Sequence, residues 1–199
     1  MKSWLMVFSL LNSCLGGVSA HAQAVDTLPK WTADKSDTEQ LGDAFKDERI
    51  QFRPPKDLQK IERENSPELT KQGVYSYAWA PGGVFPSPEN LSITLTPYAQ
   101  PSASALDKTV EGMQASIGKG LEDVKFGEVK KGVFGDFEAR AGEYTAKLNG
   151  EELFAVYLVC IDKQGSFSLV AMMPAMKATD ERVKMLQASL LTFSRAKSE

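Results

Sequence analysis

The run Leu153-Phe154-Ala155-Val156-Tyr157-Leu158-Val159-Cys160-Ile161 is apolar at every position. Successive side chains of an extended strand point to opposite faces. Leu153, Ala155, Tyr157, Val159 and Ile161 therefore share one face, and Phe154, Val156, Leu158 and Cys160 the other. A strand apolar on both faces is central in its sheet and covered on both sides. The rest of the chain must supply flanking strands and two covering layers.

The flanking strands are legible from their turns. Asn149-Gly150 directly precedes the run, and a type I′ hairpin turn needs positive φ at both central residues, which Asn and Gly tolerate best. Lys163-Gln164-Gly165 suits a second, longer hairpin. Strands are expected from Val124 to Val133, Phe137 to Leu148, Leu153 to Asp162 and Ser166 to Met173, the last three as an antiparallel meander. Further upstream, Arg49 to Arg53 alternates and is ended by Pro54-Pro55, and Leu58 to Glu62 reads as a short second strand. Val74 to Trp79 and Leu91 to Thr96 alternate as a pair of strands on either side of the Pro/Gly-rich loop Ala80 to Asn90.

Two helices can supply the covers. Leu106, Val110, Met113, Ile117 and Leu121 recur at helical spacing behind a capping box of Ser104 and Asp107. A closing helix opens at Thr179, with Asp180 and Glu181 favouring its positive end, and turns Val183, Leu186, Leu190 and Phe193 inward. The prediction is an α+β domain: an antiparallel β-sheet with helices packed on both faces, a three-layer α/β/α sandwich.

At the start of the chain, Lys2 and the apolar stretch Trp4 to Leu11 precede Ala20-His21-Ala22, the layout of a secretory signal peptide cleaved near Ala22, or near Ala24 two residues on. The apolar stretch is too short to span a bilayer, which takes about 20 residues. Leu11-Asn12-Ser13-Cys14 partly resembles a lipobox, which leaves a lipid anchor at Cys14 as the competing outcome. Residues 23–46 are polar and aperiodic and read as a flexible tether, where Ser36 or Asp37 can cap a short helix through Leu41, Ala44 and Phe45. Residues 47–196 form the single folded domain.

Counting residues excludes several chemistries. Cys14 and the sole histidine, His21, both fall in the leader, so a processed chain holds one cysteine and no histidine. That removes Ser-His-Asp and Cys-His catalysis and the usual zinc sites. Cys160 then has no partner for an intramolecular disulfide, and its setting suits a small buried hydrophobe. Lys2 is the only charged residue of the leader, so the processed chain is one unit more acidic than the −3 of the whole. Basic residues are interleaved with acidic ones, as at Lys125, Glu128, Lys130 and Lys131, so no nucleic-acid surface is expected. No cofactor motif is present and none is expected.

The chain carries an aromatic-x-Pro in Phe52-Arg53-Pro54, a helix after the first hairpin, the three-stranded meander, and a closing helix ending in Leu191-Thr192-Phe193-Ser194-Arg195. This layout resembles the PsbP-like superfamily, which includes the extrinsic photosystem II subunit, a Ran-binding nuclear import factor and exported bacterial proteins. The resemblance covers about Asp47 to Ala196. Pro55-Lys56-Asp57 stands where the family usually has Gly-Trp. The resemblance implies a non-enzymatic adaptor, chaperone-like or assembly role and carries over no catalytic residue.

The loop Ala80 to Asn90 is the leading candidate for binding, because Val84 and Phe85 sit in a frame stiffened by prolines. The competing reading is that Phe85 folds back over the sheet end, since loops of this length are usually pinned by their own apolar residues. Trp79 at the loop border and Trp31 in the tether are further binding candidates, Trp79 also fitting a core position. Met172, Met173, Met176 and Met185 suit either an adaptable groove or core filling. Four acidic pairs, Asp47-Glu48, Glu122-Asp123, Glu151-Glu152 and Asp180-Glu181, could supply carboxylates, but neighbours on a strand point to opposite faces. The expected function is an exported, non-catalytic binding or assembly-accessory protein of the bacterial envelope with a protein partner, secreted or periplasmic after cleavage. The alternatives are a carboxylate-based hydrolase of envelope polysaccharide and a lipid-anchored envelope protein.

Overall fold

The structure, a computed structural model, describes residues 28–97 and 102–196. The expected leader, with Cys14, His21 and the expected cleavage near Ala22 or Ala24, lies outside the described residues. The strands are β1 (Lys30–Trp31), β2 (Phe45–Lys46), β3 (Ile50–Phe52), β4 (Leu58–Lys60), β5 (Tyr75–Pro81), β6 (Asn90–Thr96), β7 (Glu122–Phe126), β8 (Lys130–Phe134), β9 (Phe137–Leu148), β10 (Glu151–Asp162), β11 (Gly165–Pro174) and β12 (Ser194–Arg195). The helices are α1 (Lys35–Thr38), α2 (Pro67–Lys71), α3 (Ala103–Gly120) and α4 (Asp180–Leu191), with a 3-10 turn at Ala175–Lys177.

The doubly apolar strand is central as its composition demands. β10 pairs with β9 on one side and β11 on the other, both antiparallel, in a sheet ordered β1-β8-β9-β10-β11-β6-β5-β4 with β7 also on β9. Asn149 and Gly150 take φ of 52° and 82°, both in the left-handed region that the tight β9–β10 turn requires. The second turn is tighter than expected: Asp162 pairs with Gly165, leaving only Lys163 and Gln164 to cross.

Alternation along β10 divides the core. Ala155, Tyr157, Val159 and Ile161 cluster with Leu106, Val110, Met113 and Ile117 of α3. Val156, Leu158 and Cys160 cluster with Leu186 and Leu190 of α4 and with Phe193. Each fully buried aliphatic side chain contributes roughly 1.5–3 kcal/mol. The methionines divide as well: Met173 and Met185 are buried, Met172 packs beside the α3 cluster, and Met176 is exposed, so they form no common groove.

Several expectations change. The sheet is mixed rather than antiparallel, because β1 joins β8 in parallel; these strands are far apart in the chain, so no hairpin imposes direction. The stretch Val124 to Val133 is two strands, β7 and β8, placed end to end along β9. β3 leaves the main sheet and pairs with β2 and β12 in a small separate one. The cap of α3 is Ser102, whose hydroxyl accepts from the Ala105 N–H. Asp107 instead accepts from Nε of buried Arg140 at 2.8 Å, and Glu138 takes the same guanidinium at 2.7 Å, so the buried charge is paired on both sides.

The segment read as a tether is structured from its first described residues. β1 docks on β8, α1 lies against α4, and Leu41 is buried and bridged to Pro55. The helix there ends at Thr38 rather than running through Phe45, which joins β2 instead. Its polar composition hides three well-spaced apolar anchors, Trp31, Leu41 and Phe45, which bind to separate parts of the domain.

Candidate docking site

β5 and β6 are antiparallel neighbours, and residues 82–89 connect them at one end of the main sheet. The C-terminal end of β11 reaches the same end, because Met172 pairs with Asn90, and the 3-10 turn follows directly. Large apolar side chains are exposed there: Val84 at 63%, Phe85 at 53% and Met176 at 91%. Phe85 belongs to neither core cluster, so it stands exposed rather than folded back over the sheet end. The guanidinium of Arg63 stands 5.7 Å from its ring centroid. That distance suits a cation over an aromatic face.

A charge cluster beneath this surface holds its two segments together. Glu89, only 6% exposed, accepts from Nη2 of Arg182 at 2.6 Å and from Nζ of Lys177 at 2.8 Å. Arg182 also pairs with Asp57 at 2.8 Å. Partial burial works against the Arg182 charge, but the bonds to Asp57 and Glu89 outweigh it and raise the pKa. Ser87 closes the loop locally, donating to the Glu89 carbonyl at 2.8 Å and accepting from its N–H. The loop, the 3-10 turn and the first turn of α4 are thus joined through one buried carboxylate, and Arg182 extends the link to Asp57 before β4. No short-range pattern marks this cluster, because Glu89 and Arg182 are 93 residues apart.

The two tryptophan candidates are placed differently. Trp79 is unavailable to a partner: it is 2% exposed, with Phe52 at 5.0 Å and Phe45 at 5.5 Å between ring centroids. Trp31 is half-buried against the domain's own core cluster and is not a free docking element. Of the acidic pairs, Asp47 accepts from the N–H groups of Arg49 and Ile50 and shapes the turn before β3. Asp123 pairs with Lys147 at 2.8 Å. Asp180 and Glu181 occupy the first turn of α4, capped by Thr179. Glu151 and Glu152 follow the β9–β10 turn. Among the described residues no group of three or more His, Cys, Asp or Glu side chains is placed to hold a metal ion, and no helix is long and apolar enough to cross a membrane.

No known family profile matches the sequence, and no curated protein does. Solved structures do. The solution structure of cyanobacterial PsbP, CyanoP of Synechocystis, superposes with a TM-score of 0.52 at 11% identity, over 90% of this chain and 98% of that one. PA94, a protein of unknown function from Pseudomonas aeruginosa, gives 0.45 at 10% identity over 80% of this chain and 99% of its own. LpqN of Mycobacterium tuberculosis, involved in cell envelope biogenesis, gives 0.43 at 12% identity over 85% and 99%. At such identities the likeness is one of fold, and the fold of this chain is PsbP-like.

Proposed function

We propose that this protein is an exported, non-catalytic binding or assembly-accessory protein of the bacterial envelope that docks a protein partner on the sheet end carrying Val84, Phe85 and Met176. One observation carries the reading. Among the described residues, the large hydrophobic side chains most exposed to solvent are these three, and all lie at the same end of the sheet. Isolated exposed hydrophobics need no explanation, but apolar side chains gathered on one end and rimmed by polar groups suit protein contact. The Glu89 cluster makes that end stiff, so little ordering entropy opposes binding.

Export is supported by the leader pattern of residues 1–22, and absence of catalysis by the lack of histidine after it. The architecture we infer is a three-layer sandwich with α3 and α4 on opposite faces, supported by the parity with which β10 side chains divide between the two core clusters. The test is capture from an envelope extract by wild type and by Val84→Ser/Phe85→Ser. The wild type should retain a reproducible partner that the double variant loses. Equal retention by both would refute the assignment of the site, and no retention by either would refute the partner.

A further inference from the structure

We propose that the outer edge of β8 is a binding site for an extended tryptophan-bearing strand, and that it takes residues 29–31 of a second copy of this chain in exchange for its own. The inference is independent of the sheet end, because it starts from the way Trp31 is seated. β1 lies parallel to β8, Lys30 opposite Val133 and Trp31 opposite Phe134, and the Val133 N–H donates to the Pro29 carbonyl at 2.9 Å. The indole fills the space where residue 132 has no side chain: a Cβ on Gly132 would stand 2.3 Å from Trp31 Cε2 and 2.5 Å from Cζ2. The edge therefore combines main-chain pairing, which supplies affinity for any extended strand, with a slot shaped to one side chain, which supplies specificity.

The chain's own segment identifies the ligand, since it is a sequence shown to fit. Its hold is slight. β1 is two residues long, and Thr32 to Asp34 then cross to α1 without a strand or helix of their own. A short edge strand with few contacts opens at small cost. Once open it leaves the β8 edge unpaired, and an unpaired edge is a template for another strand. A second copy offers the same segment, and reciprocal exchange fills both slots in a closed two-fold pair without any new surface.

The test uses two single variants of the full chain, Lys30→Cys and Val133→Cys, mixed and oxidised at rising protein concentration. Positions 30 and 133 are partners in register, and a disulfide between them in this mixture can form only across copies; of the two native cysteines Cys160 is buried, and Cys14→Ser is added to both variants. Mass spectrometry of the digested cross-linked product should find the 30–133 linkage, growing with concentration. Adding Trp31→Ala to the Lys30→Cys copy should cut its yield about tenfold, the scale expected for truncating a tryptophan anchor seated in a slot. Adding Gly132→Val to the Val133→Cys copy should do the same. No 30–133 linkage at any concentration overturns the proposal. So does a linkage indifferent to Trp31→Ala, because the slot would then not be selecting the strand.

Discussion

Replacing Gly132 with alanine should force the Trp31 indole off β8. The new Cβ would meet three indole carbons at 2.3, 2.5 and 2.7 Å, whereas carbon atoms rest at about 3.5–4.0 Å. The ring would need to move by roughly 1 Å or more, which disturbs the contacts it makes with the core cluster. Overpacking of this kind costs about 1–3 kcal/mol. Trp31→Ala should itself cost a similar amount by exposing the floor of the slot. In that background Gly132→Ala should cost almost nothing, because the clashing ring is gone and alanine is no worse than glycine in a strand. The double-mutant cycle should therefore return a coupling of roughly 1–3 kcal/mol, measured by urea unfolding followed through circular dichroism. If Gly132→Ala costs the same with and without Trp31, or nothing in the wild type, the seating of the indole is wrong.

Three further outcomes follow from the geometry. Glu89→Gln removes the charge that holds Arg182 and Lys177 and should lower unfolding free energy by about 1–3 kcal/mol, with faster amide exchange across residues 82–89; unchanged exchange there would show that the cluster does not brace the loop. Asp47 has its pKa lowered: partial burial raises it, but the Ile50 and Arg49 N–H groups, the Tyr77 hydroxyl and the Arg49 charge together outweigh that effect. A depressed folded value means that the carboxylate stabilises above the ordinary 3.8 and that this contribution disappears as pH falls through the folded value, so the stability gap between wild type and Asp47→Asn should close in acid; a gap constant with pH would refute the assignment. The Cys160 thiol is buried and pushed up to about 12, first by burial and then by the Asp162 charge, so a thiol reagent at pH 8 should label it only after denaturation.

The meander and both long helices were legible in the sequence because their signals are local. Alternation of apolar residues over β9 to β11, the Asn149-Gly150 turn and the helical spacing from Leu106 to Ile117 are each set within one or two turns of chain. The doubly apolar β10 even required the neighbours it has. The loop at residues 82–89 was legible from its prolines and glycines, but not the cluster beneath it, since Glu89, Arg182 and Asp57 come from distant segments.

The sequence by itself thus determined the β9–β11 meander, the two long helices, the central place of β10, and the absence of histidine after His21. Tertiary structure alone decided where the polar stretch before Asp47 goes, that β3 leaves the main sheet, and which exposed hydrophobics share one end. The physical reason is the range of the interactions. Periodicity and turn chemistry act on neighbours in the chain, while a two-residue strand such as β1 has almost no periodicity to read and is held by a slot that forms only when β8 is folded.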